Sequence, residues 1–346
     1  MSSYISSYSI SSALRQSVLN AQKNLATAEQ EVSTGTYANV GLQLGESTNQ
    51  DLSLRSEESM LETITATNGM VSTRLSSTQT ILGNLQTNAQ DFLNSLISST
   101  GTSSANSLQA TAQVDLQSLV SNLNTSVSGQ YIFGGINSGT QPITDYYASG
   151  SPNQAAVDSA FSSTFGFSQS SASVSSITGT QMQSFLNTQF PTLFQGSNWT
   201  SDWSSASDTA MSSQISDTQT ADTSVSANQS AFQDLAQAYA MVANLGTQNL
   251  SADALNAVTT TATALVQKAI TGLTNMQTSV GLVQSNVSNA TDQMSVQMSI
   301  LTTQINNLED VDPYEASTQV TNLQTQIETA YSLTAQLQKL SLVNYL

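Results

Sequence analysis

The stretch LETITATNGMVSTRLSSTQTILGNLQTNAQDFLNSL, Leu61 to Leu96, carries its apolar residues at alternating steps of three and four. Leu61, Ile64, Val71, Leu75, Leu82, Leu85, Ala89, Phe92 and Leu96 share one helical face, with Asn68 and Thr78 at the same spacing. A seam that keeps phase over about five heptads exceeds an ordinary globular helix and asks for a coiled-coil partner. Asn68 and Thr78 either fix the register of that pairing or are tolerated interruptions. Gly69 and Gly83 lie on the same helix, where each costs about 1 kcal/mol relative to alanine. Close approach of another helix would account for them.

The period recurs at both ends. Leu14, Val18, Ala21, Leu25, Ala28 and Val32 form a shorter seam, and Val280, Val287, Met294, Met298, Leu301, Ile305 and Leu308 share a face. After Leu308, the run EDVDPYEA has the form of a helix start, with Asp312 as cap, Pro313 in the first turn and Glu315 behind it. It lacks the glycine and alternating ligands of a calcium loop. A last helix carries Val320, Leu323, Ile327, Leu337 and Leu340, so residues 309–312 read as a joint between two stacked coiled-coil segments. The ending LQKLSLVNYL adds Leu342, Val343, Tyr345 and Leu346, too apolar to fray in water. The spacing predicts that the two termini pair with each other.

The middle differs. Most aromatic residues lie between Tyr131 and Trp203, and three of the 4 prolines fall between Pro142 and Pro191. No long helical period runs through SAFSSTFGFSQ or NTQFPTLFQ. These features predict a small inserted α+β domain with irregular loops, flanked by helices. Phe194, Trp199 and Trp203 are expected in its core rather than in an exposed patch.

Composition excludes much chemistry. Charged residues make up 8% of the chain, against roughly 25% in an average soluble domain. The 6 basic and 23 acidic residues give a net charge of −17, which repels phosphate backbones and anionic lipid. Neither nucleic acid nor membrane insertion is expected. Cysteine and histidine are both absent, which removes thiol and imidazole catalysis and the usual zinc and haem ligands. Lys268 and Lys339 read as solvated surface rather than nucleophiles. No catalytic residue, metal site or cofactor is expected. The N-terminus has no apolar secretory core, so the chain is either cytoplasmic or exported by a route that reads something else.

Three stretches carry a resemblance. GQYIFGGINSGTQPI, Gly129 to Ile143, resembles the segment where flagellin-family chains leave the helical body for the outer domain. EVSTGTYANVGLQLG, Glu31 to Gly45, is similar to the connector after the N-terminal helix in that family. The 39 or so residues from Leu308 to Leu346 resemble the C-terminal helix of its hook–filament junction members.

The resemblance implies a mainly α fold: long coiled-coil helices from paired terminal segments, a helical middle body and a small inserted α+β outer domain. The expected divisions are 1–40 with 309–346 for the paired termini, 41–136 with 206–308 for the body, and 137–205 for the insert. It further implies export without a cleaved signal through the flagellar type III channel, and folding at the growing tip. The implied product is an extracellular ring of copies, with the first hook-associated protein on the hook side, flagellin on the filament side, and an export chaperone beforehand. Leu14, Val18, Leu25, Val32, Leu323, Ile327, Leu337, Leu340, Leu342, Val343, Tyr345 and Leu346 are the expected assembly residues. The alternatives are flagellin itself and an unrelated secreted coiled-coil protein.

Overall fold

The computed structural model describes residues 7–98 and 104–343, with side chains placed over 9–98 and 104–336. In chain order come α1 (Ser7–Thr34), α2 (Val40–Leu44), α3 (Thr48–Ser98), α4 (Ala105–Leu123) and a hairpin of β1 (Ser126–Val127) with β2 (Gln130–Tyr131). Next are α5 (Pro152–Phe165), α6 (Gly179–Thr188), α7 (Gly196–Asn198) and a π-helical turn at Trp199–Trp203. A second hairpin, β3 (Ser212–Gln214) with β4 (Thr220–Asp222), precedes α8 (Ser230–Asn244), α9 (Ala252–Glu309) and α10 (Pro313–Val343). The fold is mainly α, as the seams predict. Two compact units emerge, residues 1–63 with 294–346 and residues 64–293, and α3 and α9 contribute to both.

Every seam position of α3 from Leu61 to Leu96 is buried. Within residues 64–293, α3 and α9 run antiparallel: Asn68 meets Thr291, Gln284 meets Ser76, and Gln86 meets Thr274. The two polar seam residues behave differently. Asn68 donates to the Ile215 carbonyl at 2.8 Å and to Thr291 Oγ1 at 3.1 Å, so it locks α3 to two other elements. Thr78, although fully buried, bonds back to the Arg74 carbonyl of its own helix and is a tolerated interruption.

The expectation for Gly69 and Gly83 is overturned. A Cβ at Gly69 would meet open space, and one at Gly83 only the tip of Gln277 at 3.9 Å. The close approach lies instead at Gly272 on α9, where a Cβ would come within 2.8 Å of Ala231 Cβ on α8. That contact belongs to a helix buried on all sides: α8 exposes almost nothing from Ala231 to Ala243, and even its polar side, with Asp234 and Gln237, is covered. Phe92 of α3 meets Tyr239 of α8 edge-on, with ring centroids 5.0 Å apart.

The segment 137–205 contains α5, α6, α7 and the π-turn; the two hairpins lie just outside it. Its aromatic residues form a chain from Phe161 through Phe185, Phe190 and Phe194 to Trp203, which stacks between Tyr146 and Trp199. Phe194, Trp199 and Trp203 are therefore core residues, each worth about 1.5–3 kcal/mol relative to exposure. This cluster is continuous with the side chains of α3, α4, α8 and α9. Ser251 Oγ donates to the Ile177 carbonyl at 2.7 Å, and a Cβ at Gly179 would touch Asp253. Such a shared core follows from burying so many rings beside helices that already present apolar faces.

The helix exteriors are built from hydroxyls turned inward. On α3, Thr73, Ser77, Thr80 and Thr87 each donate to the carbonyl four residues earlier. Thr274, Thr278, Thr302 and Thr303 do so on α9, as do Thr318, Thr321, Thr325 and Thr329 on α10. Helical backbone thus satisfies much of the polarity that charged side chains would carry in an average domain.

Candidate assembly surface

Helix α1 packs against α10 within the unit of residues 1–63 and 294–346. Val18 and Ala28 on α1 and Leu323 and Ile327 on α10 are buried, and Leu14 and Leu25 are half-buried. Gln22 Nε2 donates to the Tyr331 hydroxyl at 2.9 Å across the pair. Val32 departs from the expected seam and stays 44% exposed. Its helix ends two residues later, and Glu31 turns its carboxylate to the Ala38 amide at 3.1 Å, so the last turn serves the connector rather than the seam. The side chains of Leu337, Leu340, Leu342 and Val343, and all of Tyr345 and Leu346, lie outside the described residues.

Where α9 gives way to α10, the chain meets the connector after α1. Gly35, at φ +78°, adopts the left-handed turn that ends α1, and its carbonyl accepts from the Val311 amide at 3.0 Å. The Tyr37 amide donates to the Glu309 carbonyl at 2.9 Å, and Thr36 bridges Asp310. Arg55 of α3 donates through Nε and its terminal nitrogen to the two carboxylate oxygens of Glu309, and Asp51 stands 3.5 Å from the same Nε. The hydrogen bond from Arg55 holds Glu309 below the usual carboxylate range, whereas burial, then repulsion from Glu309, raises Asp51. Asp312 accepts from the Tyr314 amide at 2.8 Å and Pro313 opens α10, as the sequence predicts. A polar cleft of about 350 Å³ lies here, lined in part by Asn24, Glu31, Tyr37, Asp312 and Glu315.

This unit is unusually apolar on its outside. Ile10, Leu19, Val32, Leu42, Leu52, Met60, Val296, Ile300, Tyr314, Tyr331 and Leu333 are all exposed large side chains, Tyr314 at 83% and Leu42 at 81%. The unit of residues 64–293, though longer, exposes Met70, Ile97, Val114, Ile136 and Leu282. Apolar side chains at this density on paired helices suit burial against neighbouring subunits. Lys268 is an ion-pair residue, its Nζ 3.0 Å from Asp234 Oδ1. Burial raises Asp234, and the lysine opposes that rise.

Sequence reasoning passed over what the GQYIFGG stretch does. The Phe133 carbonyl accepts from the Ala227 amide at 2.8 Å, and the Gly134 carbonyl accepts from the Ser207 amide at 3.0 Å. A Cβ at Gly135 would lie 2.6 Å from both the Ser207 and Thr209 carbonyls. Here the outgoing strand and the returning chain are stitched together, and the paired glycines were the signal for that close contact.

Residues 263–346 match the bacterial flagellin C-terminal helical region, and residues 5–138 match the bacterial flagellin N-terminal helical region. No curated protein matches the chain. Among solved structures, a protein from Vibrio parahaemolyticus described as a flagellar hook-associated protein shares the fold, with a TM-score of 0.51 at 10% sequence identity. The likeness covers 76% of this chain and 97% of that one.

Proposed function

This chain belongs to the flagellin family, and from that premise we propose that it forms the junction ring between the hook-associated proteins and the flagellin filament. It is a structural subunit of the bacterial flagellum, of a family that is structural rather than catalytic. The observation that carries the proposal is the crowd of exposed apolar side chains on the unit that holds both terminal helices. The fold shared with a hook-associated protein supports the same placement.

In this reading Leu14, Val18 and Leu25 with Leu323 and Ile327 align the terminal helices. Val32 and the residues from Leu337 to Leu346 are covered by neighbouring copies, by the first hook-associated protein and by flagellin. The chain travels unfolded through the flagellar type III channel, held beforehand by an export chaperone. Unpaired apolar stripes are marginal in a lone subunit, because helices of this kind gain their stability from tertiary packing.

The match to flagellin regions also favours a second reading, a filament subunit. Gold-labelled antibody on intact flagella decides between them. A single label at the hook end, with a deletion strain that sheds flagellin from bare hooks, is the expected result. Label along the whole filament would establish the second reading instead.

A further inference from the structure

Between Glu62 and Asp91, α3 carries one charged residue, Arg74. Its guanidinium is held in place: it donates to Gln130 Oε1 of β2, and its other terminal nitrogen lies 3.1 Å from Met211 Sδ, just before β3. Both acceptors are neutral. The other cation of residues 64–293, Lys268, is committed to Asp234. Arg74 has no ion-pair partner among the described residues, and burial pulls its pKa below the usual guanidinium range. A guanidinium has five N–H donors in a fixed fork, so several remain to be used. One turn earlier on the same face, Met70 is 69% exposed, and Gly69 leaves open space beside it.

We infer that this face of α3, centred on Met70 and Arg74, receives a carboxylate of a second copy of this chain. An arginine pinned by neutral acceptors and partly withdrawn from water has already met most of the ordering cost of a charge-assisted contact. Charge complementarity selects the occupant. Copies with 23 acidic and 6 basic residues repel when packed side by side. Arg74, the cation of this unit without an ion-pair partner among the described residues, is where a neighbour's acid gains from the approach. The patch does not complement itself, so the contact is head-to-tail, the kind that closes into a ring or continues as a helix. The inference rests on the reading above, that copies assemble with one another. The competing role is a staple, in which Arg74 only ties the two hairpins to α3.

The test places a photo-crosslinking residue, p-benzoylphenylalanine, at Met70 of the full chain in flagellated cells. The expected product has twice the mass of the chain, persists with Arg74→Lys, and falls about fivefold or more with Arg74→Gln or Arg74→Glu. The purified variants should unfold within about two degrees of the parent. Crosslinks to a different protein, crosslinks unchanged by Arg74→Gln, or none at all while the chain sits in the flagellum would each overturn the inference. So would a loss of many degrees in Arg74→Gln, which assigns Arg74 to the staple. A chain missing from the flagellum altogether would instead sink the functional reading itself.

Discussion

Asp115 on α4 is half-buried, and its carboxyl is pushed up from 3.8 to about 6 by burial and then by Asp91 of α3. Folding therefore favours the protonated form. The associated cost is absent below about pH 4, grows as pH rises through 6, and is complete at neutral pH. The distance from 3.8 to about 6 corresponds to about 3 kcal/mol. Water screens a group open on one side, which reduces the expected effect to about 1 kcal/mol. Asp115→Asn should thus stabilise the unit of residues 64–293 by about that amount at pH 8 and leave it unchanged at pH 3.5. Trp199 and Trp203 both lie in this unit's core, so guanidinium unfolding followed by tryptophan fluorescence reads it directly. Asp91→Asn should give a smaller gain, since repulsion is the lesser cause, and the double variant little more than Asp115→Asn alone. Equal gains at both pH values, or none at pH 8, would refute the reasoning.

Gly272→Val should cost about 1–3 kcal/mol in the same assay, because its side chain would enter the space of Ala231. Asn68→Ala should cost about 1–3 kcal/mol and speed hydrogen exchange over 212–222, since the Ile215 carbonyl loses its donor. Arg55→Gln should loosen residues 35–37 and 309–311 at pH 7 in hydrogen exchange. The gap from the parent should close as pH falls below about 4.5, because the arginine's hold on Glu309 counts only while that carboxylate is ionised. Removal of Ser341 to Leu346 should leave the melting of the purified chain's helices, followed by circular dichroism, within about a degree and abolish filament attachment; a loss of several degrees would mean that the segment packs within its own subunit.

Period made the long helices legible. The Leu61–Leu96 seam is buried at every position because a strict step of three and four leaves a helix one way to face its partner. The Asp312 cap was legible for a local reason, since a side chain that satisfies the next amides needs no distant neighbour. Val32 was misplaced because a helix-ending glycine and the demand of the Ala38 amide outrank a seam in the last turn. Helix α8 has a polar side at helical spacing, Gln233, Asp234 and Gln237, which sequence reasoning passed over, and its burial even on that side comes from neighbours distant in the chain. Gly69 and Gly83 misled because a helix rich in good backbone partners tolerates a glycine without a packing reason. The environment of Arg74 was invisible in sequence: Gln130 and Met211 are far along the chain, and neither carries a charge to announce the meeting.

Hydroxyls folded back onto their own helices leave a surface that is hydrated and sparsely charged, its few ions mostly acidic. To pack two such surfaces, few charges must be dried, while salt screens the repulsion between copies of net charge −17, so the contact should tighten from dilute to concentrated salt. A polymer joint made this way would hold its grip as the medium grows saltier and be weakest in dilute solution. The isolated Arg74 would be the local exception, its contact weakening as salt rises.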